Sequence, residues 1–194
     1  MLSSLIEIVT SFVLRTIESW GSFGVFVLMA LESANIPIPS EIIMPFSGFL
    51  AATGVFSFWV IVLVGALGNL AGSLVSYYAA AALKGSLKRK REFVSAERWF
   101  EKFGVWSIFL GRLLPIIRTF ISFPAGIFKV NIFKFSILTF TGSLIWSWFL
   151  AKIGFVLGEN WDTIEPYFRK FDFAIVGVIL IGLGWWIWYH FRKR

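Results

Sequence analysis

Four ionisable side chains sit inside stretches that are otherwise apolar, and prolines break the chain between them. Glu32 and Glu41 flank Pro37-Ile38-Pro39, and Arg112 and Arg118 flank Pro115. An ionisable group at the centre of a membrane segment costs about 2.5 to 3.5 kcal/mol on insertion scales, so four of them need compensation from one another or from a ligand. Opposite charges facing each other would hold two halves of a molecule closed, and buried pairs that only lock the fold are the plainest reading. Such pairs are a weak source of stability, however, because desolvation offsets the Coulombic gain. Placement at helix breaks points to more. There, freed backbone N–H groups and positive helix ends join the guanidinium charge of Arg112 and Arg118 in an anion site, with phosphate the natural guest. For Glu32 and Glu41 the expected chemistry is proton exchange and gating. Burial favours a neutral carboxyl and a neighbouring arginine favours the carboxylate, so a phosphate that engages the arginines would let a glutamate take up a proton.

Smaller polar residues accompany this set. Asn35, Ser40, Asn69, Tyr77, Thr119 and Ser122 are placed to line a polar path, although hydrogen bonds between helices explain such residues equally well. His190 lies beside a basic tail and reads as an interfacial residue. The chain has no cysteine, no glycine-rich nucleotide loop, no metal-ligand spacing and no Ser/His/Asp set, so no metal, no cofactor and no enzymatic activity are expected. Hydrolysis of a lipid phosphate by the same carboxylates and arginines would lack a nucleophile and a histidine base.

The elements that must carry these residues are membrane helices. Of 194 residues 58% are hydrophobic and 15% charged, with a mean hydropathy of +0.80, which makes lipid the main solvent. No linker divides the chain, so residues 1–194 form one domain of all-α integral membrane type. The net charge of +7 resides in basic residues between apolar runs, which suits topology and anionic-lipid contact and excludes a nucleic-acid partner. Residues 1–20 have the spacing of an amphipathic helix at the interface. Residues 57–83, 131–157 and 173–190 are long enough to cross a hydrocarbon core that needs about 20 residues. Residues 22–54 and 104–128 are each broken near the middle by proline and polar residues, and read as re-entrant helical hairpins.

The order is hairpin, spanning helix, basic loop (84–103), hairpin, spanning helix, and one more spanning helix. It is an inverted repeat, in which an odd number of crossings brings the two hairpins in from opposite faces and their tips toward the midplane. Lys84, Lys88 to Arg91 and the Arg192 to Arg194 tail share one face, which the positive-inside rule makes cytoplasmic, C-terminus included. Gly65, Gly68 and Gly72, with Gly154 and Gly158, are spaced for close helix approach, chiefly within the chain, although a seam between two copies would use the same pattern.

At these residues the sequence resembles the DedA family of membrane proteins, also described as the SNARE-associated or VTT domain. One signature appears as Glu32 followed by Pro37-Ile38-Pro39-Ser40-Glu41. A longer one appears as Gly111-Arg112, Pro115, Arg118-Thr119-Phe120, Ser122 and Pro124-Ala125-Gly126. The resemblance implies a multi-pass lipid transporter of the bacterial cytoplasmic membrane. Its expected cargo is undecaprenyl phosphate, with a glycerophospholipid such as phosphatidylethanolamine as the alternative cargo and a proton or ion transporter without lipid substrate as the other reading. It also implies coupling to protons or the membrane potential, and it puts the family's essential acidic positions on Glu32 and Glu41 and its essential arginines on Arg112 and Arg118.

Overall fold

A computed structural model describes residues 2–36, 38–87, 104–114 and 117–159. Among them every regular element is a helix: α1 (Leu2–Ser33), α2 (Ser40–Ala52), α3 (Phe58–Leu87), then the short α4 (Trp106–Arg112), α5 (Ile117–Phe120) and α6 (Ser122–Ile127), and finally α7 (Ile132–Glu159). Three helical stretches, Ile8–Ser33, Phe58–Ala82 and Ile132–Gly158, are long and apolar enough to cross a membrane. The chain is accordingly an all-α, multi-pass membrane protein. The expected helix at 173–190, the C-terminal tail and residues 88–103 of the basic loop lie outside the described residues.

The sequence places a boundary between an N-terminal helix and the first hairpin at residue 21, and the backbone breaks there. Gly21 has φ 60° and ψ −139°, a conformation open to glycine because it has no Cβ, and it kinks α1 without ending it. The part before the kink does not stand apart from the bundle. Val13 and Ile17 are fully buried in one core with Val25, Leu28, Met29, Ile43, Met44, Ile61 and Val62, while Ile8, Phe12 and Trp20 are exposed. Its apolar stripe is therefore spent on the protein interior, and its outward side carries large apolar residues suited to lipid.

Helix α1 ends where the expected break begins. Asn35 takes the left-handed conformation (φ 66°) and the Ile36 N–H turns back to the Leu31 carbonyl at 3.1 Å, which closes the last helical turn. Chain direction reverses through Pro39 into α2, which packs on α1. The expected spanning segments start and stop within a few residues of α3 and α7, with α3 running on to Leu87 and carrying Lys84 on the helix.

Glycines set the packing of these helices. A Cβ at Gly68 would strike Phe26 and Met29, and one at Gly72 would strike the backbone of Ala30, so α1 and α3 lie backbone to backbone. Gly154 abuts Pro45 and Gly158 abuts Phe49 and Ala52, which joins α2 to α7. The small-residue spacing is thus used within the chain. Gly65 sits near Ser147, while the Tyr77 and Phe135 rings are 4.9 Å apart, so α3 and α7 run antiparallel. Helix α2 runs with α7 and α6 runs with α3, since Gly126 meets the Tyr77 backbone and Ala80 four residues beyond Ser122 near Ser73. The outgoing arms of the two broken segments therefore point in opposite directions.

Candidate functional site

Helix ends bring the first acid into place. Glu32 sits in the last turn of α1, and its Oε1 accepts the Ser40 backbone N–H at 3.1 Å, so one carboxylate caps the first turn of α2. Negative charge is favoured there, because the N–H groups that open a helix have no intrahelical partner. The same Oε1 receives Arg118 Nη2 at 2.5 Å. That Nη2 also reaches Glu41 Oε1 at 3.1 Å and donates to Ser40 Oγ. Arg118 and Glu32 are nearly sealed from the surface, whereas the Glu41 side chain is 47% exposed, which leaves it the one member of the triad facing outward. A buried arginine between two carboxylates is tightly held when paired and costly when either partner is lost.

Arg118 also has an aromatic neighbour. Its guanidinium lies over the Trp146 ring at 4.7 Å, so an aromatic face on α7 closes one side of the charge.

Arg112 does not join this cluster. It is 2% exposed, and its Nη2 donates to Ser73 Oγ on α3 at 2.7 Å and to Ser122 Oγ on α6 at 2.5 Å, with no carboxylate within ion-pair distance among the described residues. Room for it comes from Gly142, where a Cβ would lie 2.7 Å from the Arg112 Cβ. The two arginines thus do different work. Arg118 meets the acids, and Arg112 is a buried cation held by hydroxyls.

The remaining expected residues fall on two sides of this division. Ser40 and Thr119 belong with the glutamates, Ser40 as a ligand of Arg118 and Thr119 in the wall of the cleft described below. Ser122 belongs with Arg112. Asn69, Asn35 and Tyr77 tie helices together: Ser33 Oγ bonds Asn69 Oδ1, Asn35 Nδ2 donates to Ser76 Oγ at 3.1 Å, Ser76 Oγ donates to the Ser33 carbonyl at 3.0 Å, and Tyr77 Oη donates to the Val130 carbonyl at 2.6 Å. Trp146 and Gly142 escape a reading by residue type. The signal that marks their helix face is Thr139, Ser143 and Ser147, buried hydroxyls at four-residue spacing on α7.

A cleft of about 340 Å³ opens beside the acid cluster. Glu32, Arg118 and Glu41 contribute its charged part, and Ile36 and Phe120, 43% and 61% exposed, contribute apolar walls. Polar floor and apolar rim together suit an amphipathic guest. Among the described residues no three His, Cys, Asp or Glu side chains are grouped to hold a metal ion.

The VTT domain family model matches residues 38–156. An "Alkaline phosphatase-like protein" of Lactococcus lactis subsp. cremoris is 34% identical over 87% of this chain and 87% of its own length. "Undecaprenyl phosphate transporter A" of Staphylococcus aureus is 25% identical over 97% of both, and the protein of that name in Bacillus subtilis is 28% identical over 88% of this chain and 90% of its own. No solved structure matches. With the matched region running from just before α2 to within three residues of the end of α7, through both arginines and Glu41, the chain belongs to the VTT domain family.

Proposed function

We propose that the protein carries a phosphate-bearing lipid, undecaprenyl phosphate first, between the leaflets of the bacterial cytoplasmic membrane, and that it is a transporter and not an enzyme. The observation that carries this is the cleft whose charged floor is Glu32, Arg118 and Glu41 and whose exposed rim is Ile36 and Phe120. Such a cleft takes a headgroup inward while its tail stays in the acyl chains. The names of the Staphylococcus and Bacillus relatives favour the same cargo.

In this reading residues 22–54 and 104–128 are re-entrant hairpins, and the opposed directions of α2 and α6 support their entry from opposite faces. An arriving phosphate competes with the glutamates for the Arg118 N–H groups. Glu32, stripped of its cation in a dry place, is then stabilised by taking up a proton, which couples proton movement to lipid movement. Arg112, a cation held by the Ser73 and Ser122 hydroxyls, offers the phosphate its next charge as the tips rearrange. The basic tail and the C-terminus are cytoplasmic, and the hairpins with α3 and α7 form one DedA-like domain with the flanking helices. Glycerophospholipid is the second cargo to test, because its phosphate fits the same floor.

Purified full-length protein in liposomes tests the proposal. Leaflet-specific loss of a labelled prenyl phosphate, abolished in Glu32→Gln and Arg118→Gln variants that remain folded, is the expected result. Release of inorganic phosphate would mean hydrolysis, and a lumenal pH change without lipid movement would mean ion transport; either outcome replaces the proposal. Normal lipid movement in both variants removes the site.

A further inference from the structure

Arg118 is held in two chemically different ways. Its N–H edge serves Glu32, Glu41 and Ser40, all acceptors that a phosphate oxygen can replace. Its guanidinium carbon lies over the Trp146 ring, 4.7 Å from the centroid, a contact with a π face and not with an oxygen acceptor, which an exchange of acceptors leaves in place. Trp146 stands on α7, a different helix from every acceptor at that edge. Its Nε1–H is buried and has no hydrogen-bond partner among the described residues, although a buried donor ordinarily finds one.

From this geometry we infer that Trp146 is a positioning residue. It fixes the Arg118 guanidinium with its ring while the N–H groups pass from carboxylate to phosphate. The inference rests on the proposed function for the identity of the anion, and on the ring contact alone for the positioning. Exposed tryptophans such as Trp59 and Trp106 have the ordinary place of aromatics at a membrane interface, and Trp146 is set apart from them by its charged partner.

The test uses full-length protein in detergent, with inorganic phosphate and farnesyl phosphate as separate probes. Trp146→Leu, which removes the ring, is expected to weaken phosphate affinity about tenfold. Trp146→Phe keeps a ring with a weaker π face, and is expected to weaken it by about threefold. Stronger binding of farnesyl phosphate than of inorganic phosphate points to a lipid source for the anion, and equal binding points to free phosphate. Thermal midpoints of Trp146→Leu, Arg118→Gln and the double variant are measured beside them. Non-additive shifts support the contact without reference to any ligand. Additive shifts, or unchanged affinity in both Trp146 variants, overturn the role of Trp146 and leave the proposed function standing. Wild-type protein that binds neither probe, with non-additive shifts, overturns the phosphate reading and leaves the positioning contact intact. If only Trp146→Leu weakens binding, the ring contact is upheld and any aromatic ring suffices for it.

Discussion

The two broken segments of this chain are built to opposite specifications. The first has arms of helical length, and its contacts with the spanning helices are made by backbone: α3 lies against α1 at Gly68 and Gly72, and α7 lies against α2 at Gly154 and Gly48. It also supplies half of the buried residues of the large apolar core, from Val25 to Met44. The second is made of three short helices, and its own buried cluster among the described residues is Tyr77, Ile108, Ala125 and Phe135. Beyond the close approaches at Gly126 and Gly142, it is tied to the other helices by polar side-chain bonds, from Arg112 to Ser73, from Arg118 to Glu32, Glu41 and Ser40 and, just past its end, from Tyr77 to Val130. Apolar burial and close backbone packing resist displacement, whereas a few hydrogen bonds can be exchanged one at a time. The expectation that follows is that the second segment is the easier of the two to displace.

Five substitutions break or sharpen that contrast. Gly72→Leu should have the largest effect: even a Cβ there collides with the Ala30 backbone, so no monodisperse protein is expected by size exclusion in detergent. Gly126→Leu, an equally tight site on the second segment, should still yield monodisperse protein with slowed lipid movement; equal loss in both variants would end the distinction. Next comes Arg118→Gln, which strands Glu32 and should cost about 3 to 5 kcal/mol in an unfolding titration, part of it recovered on adding Glu32→Gln. Ser122→Ala removes one of two hydroxyls from a buried cation and should cost about 1.5 to 3 kcal/mol. Tyr77→Phe should be mildest, about 1 kcal/mol, yet it should speed amide exchange near Val130 while leaving α1 and α2 as protected as before.

Much of this arrangement is legible in the residues themselves. Pro37 to Pro39 announces the first break, Gly21 the kink before it, and the stranded charges the site. The destination of Arg112 is not legible. Whether it or Arg118 faces the acids depends on the relative rotation of helices of seven and four residues, and elements that short carry no readable period. The meeting of α5 with the tip of the first segment is a long-range contact that local pattern does not encode. Trp146 is hidden for a different reason. In a chain with ten tryptophans an indole reads as part of an interfacial belt until a cation is found on its face.

One oxygen atom, Glu32 Oε1, both starts a helix and holds a cation from the opposite half of the molecule. Neutralising that atom would therefore loosen two things in a single stroke, the first turn of α2 and the grip on Arg118. A chemical event too small to move anything by itself becomes a mechanical one, since the latch and the hinge pin are the same piece.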